Sequence, residues 1–307
     1  MVEPRTAGDP MQEDLYWTDL CHAGISEELN RMGTPISSPT VGRLLEEHGF
    51  AKRQIEKTLA GGSVPDRNQQ FEHIEALKNR YFSKGNPVFS IDTKKKELLG
   101  TRYRAGRVYC QKAFSAFDHD FPSWSTGKIV PHGIWDPIRN HGHLNLGLSR
   151  DTSQFAGDSF RWFWYRIGRY HYPNATSILW LGDAGGSHHC RHYIFKQDLQ
   201  NLVNELGVEI RMAHYPTYCS KFNPIERRFF SHVTRACQGV LFDSLETVKR
   251  LMRKTVTQTG LSTTVHVMKK VYETGPKATD DFRENLPLKF DSVLPKWNYT
   301  AIPQAGH

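Results

Sequence analysis

The chain has 307 residues, 38% hydrophobic and 12% aromatic, which excludes a disordered protein and leaves room for one sizeable core plus a small accessory domain. Its formal charge of +8 fits a polyanionic partner, nucleic acid being the commonest, or an ordinary soluble protein that happens to be basic. Five scattered cysteines without a C-x-x-C pair exclude a disulfide framework and a structural zinc site, and no apolar run or signal-like start points to a membrane or to export, so a cytoplasmic location is expected.

The first ten residues show no periodicity and read as frayed. From about Leu15 to Phe50 the pattern is short and helical. Ile25, Leu29 and Met32 share one face, Gly33-Thr34-Pro35 breaks it, and Ser38-Pro39 supplies an N-cap and first-turn proline for a second helix through Val41, Leu44 and Leu45. This outlines either a helix-turn-helix DNA reader or a plain helical hairpin. The polar stretch Gly61 to Gln70 reads as a linker, and a helix through Phe71, Ile74, Leu77 and Tyr81 follows.

After Pro87 the pattern changes. Strands are expected at Val88 to Thr93, near Arg107 to Phe114, and at His143 to Ser149, with a long loop from Ser115 to Pro137. Asp151 is expected to cap a helix, with Gln154 as its capping-box partner and Phe155, Ser159, Phe163 and Ile167 along one side. A strand at Ile178 to Leu181, a helix at His192 to Leu206, a strand at Val208 to Ala213 and a helix from Asn223-Pro224 complete the order. Strands alternating with helices after an opening meander predict an α/β chain with a mixed sheet flanked by helices, the element order of an RNase H-like fold. The expected division is a helical segment and linker over 1–70, a catalytic domain over 71–290 and a tail over 291–307.

On that order Asp92 lies in the first strand, Asp183 just past the fourth, and Glu226 in the first turn of the helix after the fifth. In such a sheet these places converge at one end. Three carboxylates around an open site suit hard divalent cations, and two such ions can activate an attacking oxygen and stabilise a leaving one. Each acid also has a bland reading: Asp92 as a strand-ending turn residue, Asp183 as the opening of a Gly-rich turn, Glu226 as a capping-box residue behind Asn223 and Pro224. Gly182 to Ser187 is not a phosphate loop, since no Lys-Ser/Thr pair follows.

Lys94, Lys95, Lys96, Arg102, Arg104, Arg107 and Lys112 crowd the first hairpin, and Lys221, Arg227, Arg228 and Arg235 surround Glu226. They either follow phosphates toward the acids or solvate the surface. His188, His189, Cys190 and His192 lack any common zinc spacing. His214 reads as a satisfied structural histidine or a neighbour of the site. Trp162, Trp164 and Trp180 read as core; Trp124 and Trp135, placed in the long loop, either anchor it or stack on a base.

Several blocks together resemble a known family. Ser90-Ile91-Asp92-Thr93-Lys94-Lys95-Lys96-Glu97, Gly182-Asp183-Ala184-Gly185-Gly186-Ser187, Tyr215-Pro216, Ser220-Lys221-Phe222-Asn223-Pro224-Ile225-Glu226-Arg227 and Trp297-Asn298-Tyr299-Thr300 are similar to those of the Rhodopirellula-type DDE transposases of bacterial insertion sequences (the ISAzo group), from about Gly8 to Pro303. The resemblance implies that Asp92, Asp183 and Glu226 are the triad, that two Mg²⁺ or Mn²⁺ ions serve as cofactor, and that element ends and target DNA are the partners. It implies hydrolytic nicking followed by attack of the freed 3′-hydroxyl on target DNA, usually in a homo-oligomer. Members commonly carry more sequence before the Gly8-Asp9-Pro10 start, so an N-terminally shortened copy is expected. Pro224 stands where close relatives often have another residue. A catalytically silent DNA-binding relic and a nuclease without strand transfer are the alternatives.

Overall fold

The structure, a computed structural model, describes residues 6–9, 12–18, 20–53, 65–119 and 121–304; the start of the expected linker lies outside them. Chain contacts divide it into two compact units, residues 1–59 and 60–307.

In the first unit β1 (Thr6–Asp9) pairs antiparallel with β2 (Gln12–Thr18). Leu15 to Thr18 are therefore strand, not the start of a helical run; Tyr16, Trp17 and Thr18 are residue types that favour a pleated surface. The two expected helices follow as α1 (His22–Arg31) and α2 (Ser38–Glu47). Ile25 and Val41 are their buried residues, whereas Met32 is exposed. The N-cap of α2 is Ser37, whose side chain accepts from the Thr40 amide at 3.4 Å, one position before the serine that the Ser-Pro pair suggested. Gly33 makes the turn at φ +82, and Ser26 Oγ donates to the Ile36 carbonyl at 2.5 Å, fastening α1 to the turn.

The second unit opens with α3 (Arg67–Ser83), so Arg67 to Gln70 are helix and not linker. Ile74, Leu77 and Tyr81 pack on the sheet, and the buried Gln70 amide exchanges hydrogen bonds with Asn298 at 2.7 and 2.9 Å. The sheet is formed by β3 (Val88–Thr93), β4 (Glu97–Leu99), β5 (Gly127–Asp136), β6 (His141–Gly147), β7 (Ser177–Asp183), β8 (Glu209–Tyr215), β9 (Ser262–Met268), β10 (Lys289–Phe290) and β11 (Asn298–Ala301). Among the described residues its order is β10-β11-β8-β7-β3-β5-β6-β9, with β4 on β5.

The meander β3-β5-β6 is antiparallel, while β7 joins β3, β8 joins β7, and β9 joins β6 in parallel. Helix α4 (Ser153–Phe163) continues through a π-helical turn, Trp164–Gly168, into α5 (Arg169–His171). After it come α6 (Tyr193–Leu206), α7 (Ser231–Ala236), α8 (Leu245–Arg253) and α9 (Asp280–Glu284). This is the RNase H-like arrangement of a mixed sheet flanked by helices.

Three expectations need correction. The second strand is β5, not Arg107 to Phe114, which lies exposed outside the sheet, and Trp135 is thus a buried strand residue. Proline and glycine in Ile129-Val130-Pro131-His132-Gly133 argued against a strand, but Pro131 falls where β5 changes partner from β4 to β3, so its missing N–H leaves no ladder bond unmade. The cap of α4 is Thr152, which accepts from the Phe155 amide at 3.1 Å; Asp151 is free for another use. The segment after residue 291 is no tail, because β11 pairs with β8 and its residues are buried.

Two glycines fix where the helix that follows β8 can sit. A Cβ at Gly133 would overlap the Phe230 ring, and one at Gly142 the Phe229 ring. Gly133→Ala is expected to lower stability by about 1–3 kcal/mol through overpacking, read by urea denaturation; a midpoint equal to that of the native protein would contradict this seating.

Candidate active site

Asp92 is on β3, and the parallel register of β3 with β7 runs Val88 to Leu179, Phe89 to Trp180, Ser90 to Leu181. Two residues further it sets Asp92 beside Asp183, on strands spaced about 4.8 Å apart. Asp183 ends β7, level with Tyr215 on β8. Glu226 is brought up by the helix that starts at Pro224 and passes through a π-helical turn, Glu226–Phe230, before α7. Ile225 and Phe230 of that segment lie against Gly133, the cross-strand partner of Asp92.

Charge interactions connect these acids. Burial pushes the Asp92 carboxyl up to about 8, with further upward contributions from the charges of Asp183, Glu226 and Asp151, against one 2.7 Å hydrogen bond from the Thr93 amide. Burial raises Asp183 to about 6, opposed by a hydrogen bond from Asn223 and reinforced by Glu226. Glu226 is also raised by burial, and the Lys94 ammonium pulls it back. Asp151, at the end of the loop after β6, accepts from Thr93 Oγ1 at 3.1 Å and is the fourth acid at this edge.

One side chain ties the edge together. Asn223 is fully buried and does not cap the helix with its side chain. Its Nδ2 donates to Asp183 Oδ1 at 3.2 Å and to the Ile91 carbonyl at 3.3 Å, while its Oδ1 accepts from Ser90 Oγ at 2.5 Å. Ser90 Oγ in turn accepts from the Ile225 amide at 3.1 Å. Asn223 therefore links β3, β7 and the helix carrying Glu226. The sequence marked it as a cap because Asn before Pro usually is one.

Histidines line the surroundings in neutral form. His214 Nδ1 donates to the Asp183 carbonyl at 2.9 Å and Nε2 accepts from Tyr299 Oη at 2.9 Å; burial holds it down at about 3, the satisfied structural role. Asn145 donates to Ser159 Oγ, so that hydroxyl donates to His132 Nδ1 at 2.8 Å, and His132 Nε2 faces His188 Nε2 at 3.2 Å. His188, His189, Cys190 and His192 do not converge: His188 meets His132, His189 stacks on His192, and Cys190 packs with Trp297. Among the described residues no group of three or more His, Cys, Asp or Glu stands arranged to hold a metal ion. The chemistry of the Asp92 edge nevertheless fits a hard divalent cation, since its acids are half-buried oxygen donors opposed by one lysine.

That lysine is largely committed elsewhere. Lys94 donates to Glu97 at 2.5 Å and Arg104 to the same carboxylate at 2.8 Å; although burial would raise Glu97, the two cations hold it below its usual value. Arg104 also covers the Phe242 ring, and Arg102 donates to the Phe121 carbonyl at 2.7 Å. Lys94 and Arg104 are thus structural cations rather than free phosphate contacts. Lys95, Lys96, Arg107, Lys221, Arg227 and Arg228 are exposed. Trp164 and Trp180 are core, Trp162 is sandwiched between His143 and His266, and Trp124 is exposed.

An RNase H-like sheet with acids gathered at the shared end of its two central parallel strands defines a DDE-type domain. The chain belongs to the family described as the Rhodopirellula transposase DDE domain, which it matches over residues 1–303. No curated protein matches it. Among solved structures it is similar to the Mos1 mariner paired end complex with Mn, at 18% identity over 75% of this chain and 65% of that one, with a TM-score of 0.45. It is also similar to the Mos1 Strand Transfer Complex, at 16% identity over 75% and 64%, with a TM-score of 0.46. The chain thus spans just under two thirds of the length of these proteins.

Removing the donor that favours ionised Asp183 should move its titration to higher pH. For Asn223→Ala we expect the Asp183 carboxyl signal in ¹³C NMR to titrate above its position in the native protein, with a stability loss of about 1–3 kcal/mol. An unmoved titration would remove Asn223 from the site.

Proposed function

We propose that the protein is a metal-dependent DNA transposase that cuts the strands at the ends of its element and joins the freed 3′-hydroxyl to target DNA. The observation that carries this reading is the set of carboxylates at one sheet edge, where Asp92 lies on β3 beside Asp183 on β7, and the charge of Glu226 reaches both. Membership of a transposase DDE family supports DNA as the substrate.

Asp92 would hold both divalent ions, Mg²⁺ or Mn²⁺, with Asp183 holding one and Glu226 the other. When bound, such ions lower the cost of forming the attacking oxygen and of releasing the leaving one. The residues themselves do the positioning. Asn223 fixes one oxygen of Asp183, the Gly133–Phe230 contact holds the Glu226 helix against β5, and Lys94 tempers the negative field at Glu226. Lys95, Lys96, Arg107, Lys221, Arg227 and Arg228 supply exposed cations that can follow phosphates without reading bases. The α1–α2 hairpin is assigned to recognition of element ends.

Purified protein with Mn²⁺ is expected to nick a duplex carrying the element end and to join a precut end to a plasmid. Asp92→Ala should lose both by more than about a hundredfold, the loss of roughly 3 kcal/mol of transition-state stabilisation. Nicking without joining would reduce the protein to a nuclease, and duplex binding without nicking to a silent relic.

A further inference from the structure

Helix α8 buries Val248 and Met252 in the same cluster as Phe229 and Val233, so it lies on the face of the sheet that carries the Glu226 helix. Its other face is a single stripe. Positions 246, 249, 250, 253 and 254 fall three or four apart, and Glu246, Lys249, Arg250, Arg253 and Lys254 line a concavity of about 450 Å³. Four cations share it with one acid. Lys249 reaches Glu246 at 3.5 Å and Arg250 feels the exposed Asp243 carboxylate at longer range, while Arg253 and Lys254 have no ion-pair partner among the described residues.

Local i and i+3 pairs hold Lys78 to Glu75 on α3, Arg161 to Asp158 on α4 and Arg283 to Asp280 on α9, and on α8 the same spacing serves Lys249 alone. In α8 the pairs Lys249–Arg253 and Arg250–Lys254 are like charges at i and i+4, an arrangement that works against the helix. The helix dipole accounts for Arg250 and Arg253 in the last turn but not for Lys249 in the middle. The positive field also extends sideways. Lys249 and Arg166, after burial, both disfavour charge on His266 of the edge strand β9, and Arg227, Arg228 and Arg235 are exposed on the segment running from Glu226 through α7.

We propose that the outer stripe of α8 is a second binding surface for the phosphate backbone of duplex DNA, to one side of the carboxylates and indifferent to base sequence. This rests on the transposase reading and extends it to a surface outside the active-site edge. The row Asp92–Gly133–Leu144–Val265 crosses from β3 to β9, three strand spacings or about 14 Å, and α8 packs in the cluster that borders Val265. The concavity is lined by Glu, Lys and Arg alone and offers no aromatic or aliphatic anchor. Four spaced point charges match a phosphate chain.

The test is the salt dependence of binding to a duplex of random sequence, read by fluorescence anisotropy for the native chain and for the combined variant Lys249→Gln, Arg250→Gln, Arg253→Gln, Lys254→Gln. Loss of four phosphate contacts should flatten the slope of log binding constant against log salt by about 3.6. As a measurement needing no variant, the duplex should protect Lys249 and Lys254 of the native chain from acetylation. An unchanged slope, or lysines acetylated equally with and without DNA, overturns the stripe while leaving the active-site reading intact. A native chain that binds no duplex at any salt overturns both.

Discussion

The structure turns on one electrostatic constraint: several carboxylates are held half-buried at a single sheet edge, where burial raises all of them and Glu226 further disfavours ionisation of Asp92 and Asp183. Burial removes the water that would screen them, so Asp92 sits near 8 and Asp183 near 6 in place of ordinary carboxylate values. A folding chain avoids such a grouping unless something compensates, and the nearby cation, Lys94, is already engaged by Glu97. A hard divalent cation is the counter-charge that the proposed function would supply to this donor set.

The rest of the catalytic unit can be understood as what keeps those acids in place. Parallel pairing of β3 with β7 sets two of them side by side. The third depends on close packing, because Phe229 and Phe230 occupy the space left by Gly142 and Gly133. Asn223 then joins all three elements through buried hydrogen bonds, in a setting where an unmet donor would be costly. A π-helical turn begins at Glu226 itself, and such turns re-aim side chains within a helix.

Much of this was legible in the sequence because apolar runs and short spacing rules carry it. Val88 to Thr93, Ile178 to Leu181 and the helix ending at Leu206 read directly, and the places of Asp92, Asp183 and Glu226 in the element order followed. What escaped was set by tertiary partners. β5 hides behind Pro131 and Gly133, whose tolerance depends on a change of strand partner and on a phenylalanine from a distant helix. Arg107 to Phe114 has strand-like composition but finds no neighbouring strand in the described sheet. The caps slipped by one residue at Ser37 and Thr152, a shift that local propensity does not resolve. The inward turn of Asn223 and the commitment of Lys94 and Arg104 to Glu97 are visible only in three dimensions.

The most direct measurement is the thermal stability of the metal-free protein against pH, with and without Mn²⁺. A carboxyl raised from 3.8 to about 8 on folding keeps a proton that the unfolded chain releases, so stability should fall as pH rises from about 4 through about 8. Asp92→Asn should flatten that fall, and Mn²⁺ should restore the native protein most strongly at the alkaline end. A flat profile in the native protein, or no response to Mn²⁺ at any pH, would contradict the account.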